Sequence, residues 1–189
     1  MDILEKFRET NALLEGHFIL SSGLHSPKYL QCALALQQPN DAEAFGMAIA
    51  ERYSGQTFDT VASPAIGGLI IGFATARALG LRFIWTERQA GEMTVRRGFS
   101  IKPGDRILVV EDVITTGGST RECIAALEHN GGKVAAAASI IDRSNGAADV
   151  GVPRISLVSL DVPSYDPNEC PLCAAGIEAV KPGSRTTAQ

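Results

Sequence analysis

The spacing of apolar residues changes part-way along the chain. In Asp2–Leu14, and again from Pro39 onward, apolar side chains recur three and four residues apart, which predicts two amphipathic helices. Between these helices, His17–Ala33 is predicted to form two short extended pieces around a Ser-Gly turn. A regular alternation of strands and helices begins after the second helix.

From Asp59 to Leu160, runs of β-branched and aliphatic residues alternate with helical patterns. Strands are predicted at Asp59–Ser63, Arg82–Thr86, Arg106–Glu111, Val134–Asp142 and Ile155–Leu160. Helices are predicted at Leu69–Leu79 and Ser119–His129. The polar stretch Glu87–Gly98 fits either a mobile loop or a ragged hairpin. The alternation predicts an α/β fold, with a parallel sheet flanked by helices.

The length of the chain and the limits of this alternation predict its domain organisation. A chain of 189 residues fits one domain, so we expect a single domain over residues 1–189. Its core is expected at about residues 36–160. Two segments, at about 1–35 and 161–180, lie outside the alternation and are expected to form a small hood at one edge.

The charge and the uncharged runs exclude some classes of protein. The net charge of −4 argues against a nucleic-acid binder, which would show a basic surface. The longest uncharged run, Thr60–Ala76, contains Pro64, Gly67 and Gly68 and is shorter than the roughly 20 apolar residues of a membrane span. The charged N-terminal segment has no apolar stretch typical of a secretory signal. We therefore expect a cytoplasmic protein with no membrane contact and with reduced cysteines.

The sequence VVEDVITTGGST, Val109–Thr120, combines features that point to a ligand site. An apolar strand ends in two acids, Glu111 and Asp112, and a glycine-rich segment follows. Ligands of open parallel sheets bind beyond the carboxyl ends of the strands. Ser119 and Glu122 fit a capping box, which predicts that the next helix begins at Ser119. The loop would then present backbone N–H groups beside a helix N-terminus, where anions bind.

Together these features favour a phosphorylated sugar as the ligand. The loop would bind the phosphate, and the carboxylates would accept hydrogen bonds from the sugar hydroxyls. An isolated acid pair is more often solvated and an isolated Gly-Gly is more often a turn, so the prediction rests on the whole string. Neither G-x-x-x-x-G-K-[ST] nor G-x-G-x-x-G occurs in the sequence, so the two common nucleotide-binding motifs do not explain it.

The string closely resembles the phosphoribosyl-pyrophosphate (PRPP) signature of type I phosphoribosyltransferases. The resemblance implies the type I phosphoribosyltransferase fold, in which the loop binds the 5-phosphate and the acids bind the ribose 2- and 3-hydroxyls. It assigns PRPP binding to Glu111, Asp112, Val113, Ile114, Thr115, Thr116, Gly117, Gly118 and Ser119. Mg²⁺ is expected to arrive bound mainly to PRPP, so no residue is assigned to a metal.

Two further stretches resemble orotate phosphoribosyltransferases. Glu15–Ala33 resembles their N-terminal hood, and Asp142–Gly146, with the sequence DRSNG, matches the place of their orotate-binding arginine. The resemblance implies that Thr115 and Arg143 contact orotate. It also implies a homodimer that transfers the phosphoribosyl group from PRPP to orotate in pyrimidine synthesis, with the hood built from both terminal segments.

The same resemblance assigns catalytic roles to Arg88 and Asp112. Arg88 stands where the family begins its flexible catalytic loop, which reaches into the neighbouring subunit's site. That loop is rich in lysine and contains histidine in many relatives, whereas Glu87–Gly98 offers Arg88, Arg96 and Arg97 as its cations. We expect these arginines to meet the leaving pyrophosphate.

Two alternatives stay open. A purine-type phosphoribosyltransferase would share the PRPP signature, but it would give Arg143 no carboxylate to bind. A non-catalytic regulator that senses PRPP would normally show a DNA-binding appendage or an RNA-binding basic face, and the sequence shows neither.

Cys170 and Cys173 form a C-x-x-C pair near the end of the chain. A zinc site needs about four ligands, and Cys32 with His17 or His25 would complete such a set. Because a single C-x-x-C is a weak signal, we expect no metal at this pair. A thioredoxin-type redox pair is disfavoured further, because no strand–helix unit follows.

Overall fold

The computed structural model describes residues 2–20 and 22–182. Contacts divide the chain into two compact units. The terminal unit comprises the segments before Ala35 and after Leu160, and the core unit comprises Ala35–Leu160. Among the residues described, no helix is long and apolar enough to cross a membrane.

The terminal unit begins with helix α1 (Ile3–Glu9) and an antiparallel hairpin of β1 (Leu13–Ile19) and β2 (His25–Leu30), and helix α2 (Cys32–Leu36) follows. The two extended pieces are therefore confirmed, but the predicted helix over Asp2–Leu14 is too long. The N–H and hydroxyl groups of Thr10 both donate to the Lys6 carbonyl, and Asn11 adopts a left-handed φ of 55°. A left-handed residue cannot continue a right-handed helix, so the chain turns into β1.

The core unit is built around a six-stranded sheet. Its strands are β3 (Thr60–Pro64), β4 (Arg82–Gln89), β5 (Glu92–Val95), β6 (Arg106–Ile114), β7 (Lys133–Asp142) and β8 (Arg154–Ser159). Their order is β5-β4-β3-β6-β7-β8. Every neighbouring pair is parallel except β4 and β5. The predicted parallel sheet is confirmed, with one antiparallel strand added at its edge.

Three long helices accompany this sheet: α3 (Pro39–Arg52), α4 (Gly68–Leu79) and α5 (Gly118–His129). The apolar face of α5, including Cys123 and Leu127, packs with Ile107 and Val109 of β6 in a buried cluster. Side chains from Ile107 to Val110 are fully buried. A strand buried on both faces reads as an uninterrupted apolar run, which is why this strand could be identified from sequence.

The polar stretch after β4 forms a hairpin. Strands β4 and β5 pair from Thr86 with Val95 to Gln89 with Glu92, which leaves a two-residue turn of Ala90 and Gly91. Both turn residues have positive φ, 51° and 91°, as a type I′ turn requires. Of the two alternatives for this stretch, the structure has the hairpin.

Candidate active site

A cavity lies where the strand order of the sheet reverses. From β3 the chain continues to β4 on one side and then crosses to β6 on the other side. Such a switch point leaves a crevice beyond the carboxyl ends of the strands. A cavity of about 290 Å³ lies there, between the loop after β3 and the segment that leads from β6 into α5. Its lining residues are Pro64, Ala65, Gly67, Glu111, Asp112, Val113, Ile114, Thr115, Thr116, Gly117, Gly118, Ser119 and Thr120.

The structure brings all nine residues of the PRPP assignment, Glu111 to Ser119, to this one cavity. The two acids do not end the strand as predicted, because β6 continues to Ile114. Val113 and Ile114 still pair with Ile141 and Asp142 of β7. The carboxyl groups are therefore held by regular sheet structure, and the loop proper begins at Thr115.

The start of α5 differs from the prediction. The helix begins at Gly118 after Gly117, which has a φ of 75°, and no side chain caps it. The capping box of Ser119 with Glu122 is wrong, since the Glu122 carboxylate accepts a hydrogen bond from Arg88 instead. A Cβ atom on Gly117 would also lie 2.8 Å from Val150 Cγ1, so glycine is required at this turn. The Gly118 N–H donates to Thr116 Oγ1 at 3.4 Å, and the N–H groups of Ser119 and Thr120 keep their capacity to bind an anion.

Glu111 and Asp112 form an electrostatically coupled pair. Glu111 is 7% exposed, and its Oε2 has no hydrogen-bond partner among the described residues. Burial, the adjacent charge of Asp112 and a hydrogen bond between the two side chains raise the pKa of Glu111 to about 9. At neutral pH Glu111 is therefore protonated beside the Asp112 carboxylate. The Oδ1 atom of Asp112 accepts a 2.8 Å hydrogen bond from the Val113 N–H.

The loop after β3 approaches this pair closely. A Cβ atom on Gly67 would lie 2.8 Å from Asp112 Oδ1, so a larger residue would collide with the carboxylate. Gly68 is equally confined, because its Cβ atom would lie 2.9 Å from the Val110 carbonyl oxygen. Gly67 and Gly68 thus allow the loop after β3 to form one wall of the cavity.

Arg143 follows β7 beside this cavity. Its backbone N–H donates to the Ile114 carbonyl at 2.8 Å. Asp142 accepts hydrogen bonds from Ser144 N at 2.7 Å, Ser144 Oγ at 2.6 Å, Gly146 N at 2.9 Å and Arg154 Nη1 at 3.1 Å. Burial opposes ionisation of Asp142, but these bonds lower its pKa overall. Asp142 and Arg154 were not predicted to be positioning residues, although an Asp two residues before Ser-Asn-Gly is typical of such a turn.

The arginines of the β4–β5 hairpin lie outside the lining of this cavity and contact acids. Arg88 donates to the Gly91 carbonyl at 2.8 Å and to the Glu122 carboxylate. Arg97 makes two bonds to Glu87, at 2.6 and 2.9 Å, and Arg96 lies 3.8 Å from the same carboxylate. The catalytic role of Arg88 and the pyrophosphate contacts of all three stay predictions.

Comparison with known proteins identifies the family. Residues 35–163 match the phosphoribosyl transferase domain family. Orotate phosphoribosyltransferase from Pelotomaculum thermopropionicum is 53% identical over 184 residues, which cover 97% of each chain. The chain belongs to the orotate phosphoribosyltransferase family. The enzyme of that name from Thermotoga maritima is 50% identical, again over 97% of each chain. The family resemblance read from the sequence is thereby confirmed.

Solved structures of this family share the fold. The crystal structure of orotate phosphoribosyltransferase from Aeropyrum pernix has a TM-score of 0.72 and 26% identity, and the match covers 84% of this chain and 94% of that one. The Mycobacterium tuberculosis orotate phosphoribosyltransferase in complex with PRPP has a TM-score of 0.65 and 25% identity, over 82% and 94% of the two chains. The type I phosphoribosyltransferase fold is therefore confirmed.

The buried acid generates a prediction on stability. Folding raises the pKa of Glu111 from 4.5 to about 9, so between these values the folded protein keeps a proton that the unfolded chain releases. Wild-type stability therefore falls with rising pH across this window, by on the order of 1 kcal/mol per pH unit from this one group. Glu111→Gln carries no such proton. The difference in unfolding free energy, variant minus wild type, should increase from pH 6 to pH 8 in urea titrations.

A matched substitution, Glu128→Gln at an exposed position of α5, controls for loss of a carboxylate. Its difference from wild type should change little over the same pH range. If the difference for Glu111→Gln is also independent of pH, the carboxyl group is not held protonated at neutral pH.

Proposed function

We propose that this chain is an enzyme that transfers the 5-phosphoribosyl group from PRPP to orotate. The products are orotidine 5-phosphate and pyrophosphate, in the synthesis of pyrimidine nucleotides. A bond forms between a ring nitrogen of orotate, which gives up its proton, and C1 of the ribose, while the bond from C1 to pyrophosphate breaks. One observation carries the proposal: the whole PRPP segment lines one cavity at the switch point of the sheet, in a chain about half identical to enzymes of this name.

The cavity offers complementary groups to the two ends of phosphoribose. The backbone N–H groups from Thr115 to Ser119, at the N-terminus of α5, suit the 5-phosphate. The Asp112 carboxylate and the protonated carboxyl group of Glu111 suit the ribose hydroxyls, since the oxygens of both groups accept hydrogen bonds from them, the charged ones more strongly. Because both acids lie in β6, the sugar would be held in a fixed orientation toward the incoming base.

Mg²⁺ fits this cavity as a companion of PRPP. The carboxyl oxygens of Glu111 and Asp112 are hard donors, of the type that Mg²⁺ binds, and the cavity lining contains no histidine or cysteine. We propose that these two residues reach the ion through the ribose hydroxyls and water, and that pyrophosphate oxygens supply most of its ligands. When bound, Mg²⁺ would neutralise negative charge on the pyrophosphate.

Orotate would bind beside the same cavity. Its carboxylate matches a guanidinium, which can donate two parallel hydrogen bonds, and Arg143 lies at the end of β7 beside Ile114. Thr115 lines the cavity next to this position and would supply a hydroxyl or N–H group to the base. Asp142 and Arg154 would act as positioning residues, because they hold the turn that carries Arg143.

The proposal includes a homodimer in the cytoplasm. Met47 of α3 and Ile70 and Phe73 of α4 are 56%, 47% and 61% exposed, and exposed apolar side chains of this size favour a protein contact. Arg88 is bound to Glu122 outside the lining of its own chain's cavity, so it suits a role in a partner's site once that pair opens. There it would stabilise charge on the departing pyrophosphate. The cytoplasmic location follows from the sequence-based expectation.

A panel of bases assayed with PRPP and Mg²⁺ tests the substrate. Orotate should be converted, whereas uracil, adenine, guanine and hypoxanthine should not, because none of them carries a carboxylate for Arg143. Turnover of a purine base would replace the proposal with a purine phosphoribosyltransferase. If PRPP binds but no base reacts, the chain is a PRPP sensor.

Variants at Arg143 test whether this residue determines the specificity for orotate. Arg143→Ala should raise the KM for orotate at least ten-fold and change the KM for PRPP little, since removal of a charge-assisted bond costs about 1.5–3 kcal/mol. Arg143→Lys keeps the charge but cannot donate two parallel hydrogen bonds. Its KM for orotate should therefore lie between the values of the wild type and of Arg143→Ala. If Arg143→Ala lowers the affinity for PRPP and leaves the affinity for orotate unchanged, Arg143 binds PRPP and the assignment to orotate is wrong.

Mixing two inactive variants tests the shared site. Arg88→Ala and Asp112→Asn should each nearly abolish kcat. In a random mixture about half of the dimers are hybrids, and each hybrid has one site with both residues intact. Activity should therefore recover to roughly a quarter of wild type.

The control for this mixture is Asp59→Asn, just before β3 at the amino ends of the strands, where the side chain accepts the Arg106 N–H. This variant should be active by itself. Its equal mixture with Arg88→Ala should show about half of its own activity, as simple dilution predicts. If subunits exchange and no recovery follows, Arg88 does not act across the dimer.

A further inference from the structure

Four potential metal ligands converge in the terminal unit, outside the transferase site. His17 and His25 come from the β1–β2 hairpin, whereas Cys170 and Cys173 come from the C-terminal segment. One ligand atom of each residue lies within 4.8 Å of all the others. Residues 148 positions apart, His25 and Cys173, are in direct contact. The fold has therefore assembled two histidines and two cysteines around one point.

The distances between these atoms fit one tetrahedral ion. His17 Nε2 lies 3.5 Å from Cys170 Sγ and 3.8 Å from Cys173 Sγ, and His25 Nδ1 lies 3.3 Å from Cys173 Sγ. A tetrahedral zinc ion, with Zn–N of about 2.0–2.1 Å and Zn–S of about 2.3 Å, separates nitrogen from sulfur by about 3.5 Å. The two histidine nitrogens are closer, at 2.8 Å, and would move apart slightly around an ion.

The surrounding structure orients the ligands. His17 Nδ1 lies 2.7 Å from the Ile177 carbonyl oxygen, which makes Nδ1 the donor and leaves the Nε2 lone pair directed to the cluster. A hydrogen bond of this kind typically fixes a zinc-bound histidine. Ring orientation is therefore set before any ion binds.

The cysteine pair is shaped by a short helix, α6 (Pro171–Ala174), which Cys170 precedes. Gly176, with a φ of 71°, ends it: its N–H donates to the Cys173 carbonyl, and the Ile177 N–H donates to the Leu172 carbonyl. This pair of bonds is a Schellman motif, which closes the segment tightly. The same closure brings the Ile177 carbonyl to His17. Three of the four ligands, His17, His25 and Cys170, are buried.

We propose that His17, His25, Cys170 and Cys173 form a structural zinc site that clips the C-terminal segment to the β1–β2 hairpin. Two sulfur and two nitrogen ligands in tetrahedral array select zinc among the common metals. Four protein ligands leave no open position, so the ion stabilises structure and takes no part in the transfer reaction. The proposal revises the sequence-based expectation of no metal, in which Cys32 was the third candidate ligand.

Neighbouring backbone bonds show what the clip would hold. Val180 makes two strand-like bonds to β1 of the hairpin, since Ile19 N donates to the Val180 carbonyl and Val180 N donates to the His17 carbonyl. His25 and Tyr165 also form two bonds, of 2.9 and 2.8 Å. These contacts join segments that are distant in sequence. An ion bound only when the segments are together would add its binding free energy to the stability of the folded unit.

Metal analysis of the full-length wild-type protein tests the site. Protein purified without chelator should contain about one zinc per chain by mass spectrometry, as one set of four ligands requires. After removal of zinc, added Co²⁺ should give the intense visible bands of a tetrahedral site and thiolate-to-cobalt charge transfer in the near ultraviolet. Wild-type protein that holds no zinc and gives no such spectrum overturns the proposal, as does a Cys170–Cys173 disulfide found by thiol titration.

Variants then assign the ligands. The double substitution Cys170→Ser and Cys173→Ser should lower the zinc content at least ten-fold and abolish the charge-transfer band. Cys32→Ser is the matched control, because Cys32 is a buried cysteine of the same unit but not of the cluster. It should keep one zinc. Equal loss of zinc in both variants would overturn the ligand assignment. All these readouts are independent of transferase activity.

Discussion

The pairing of Glu111 with Asp112 is the constraint on which the candidate active site depends. Two adjacent carboxylates in buried surroundings repel each other, and the fold relieves this conflict by raising the pKa of Glu111. A ligand that offers hydroxyl donors relieves it as well, since each hydroxyl can donate to a carboxyl oxygen. Regular pairing of β6 with β7 prevents the two acids from moving apart. The unfavourable electrostatic interaction between them therefore persists until a ligand with several hydroxyl groups binds.

Much of this site could be predicted from local sequence. Strand β6 is buried on both faces, so its apolar run identified it, and the acids and glycines that follow carry the family resemblance. The start of α5 was predicted wrongly, because Ser119 and Glu122 satisfy a capping pattern that a competing interaction overrides. Arg88 of a neighbouring strand binds Glu122, and a left-handed Gly117 starts the helix instead. A local motif cannot reveal a partner that is 34 residues away.

Contacts between segments that are distant in sequence could not be predicted from local patterns, for the same reason. The sequence could name His17, His25 and the C-x-x-C pair as separate candidates, but no periodicity indicates that both histidines meet both cysteines. The sequence of residues 87–98 does not decide between a loop and a hairpin, because the turn of the hairpin, Ala90-Gly91, needs a positive φ at an alanine. Features that depend on a single strand or helix could therefore be predicted from the sequence. Features that depend on contacts between two elements could be predicted only in part.

A crystal structure with PRPP and Mg²⁺ tests the central claim most directly. The account predicts the 5-phosphate at the backbone N–H groups of Thr115–Ser119, with the ribose hydroxyls within hydrogen-bond distance of the Glu111 and Asp112 carboxyl groups. PRPP bound instead at the hairpin arginines, with neither acid in contact with the sugar, would contradict it.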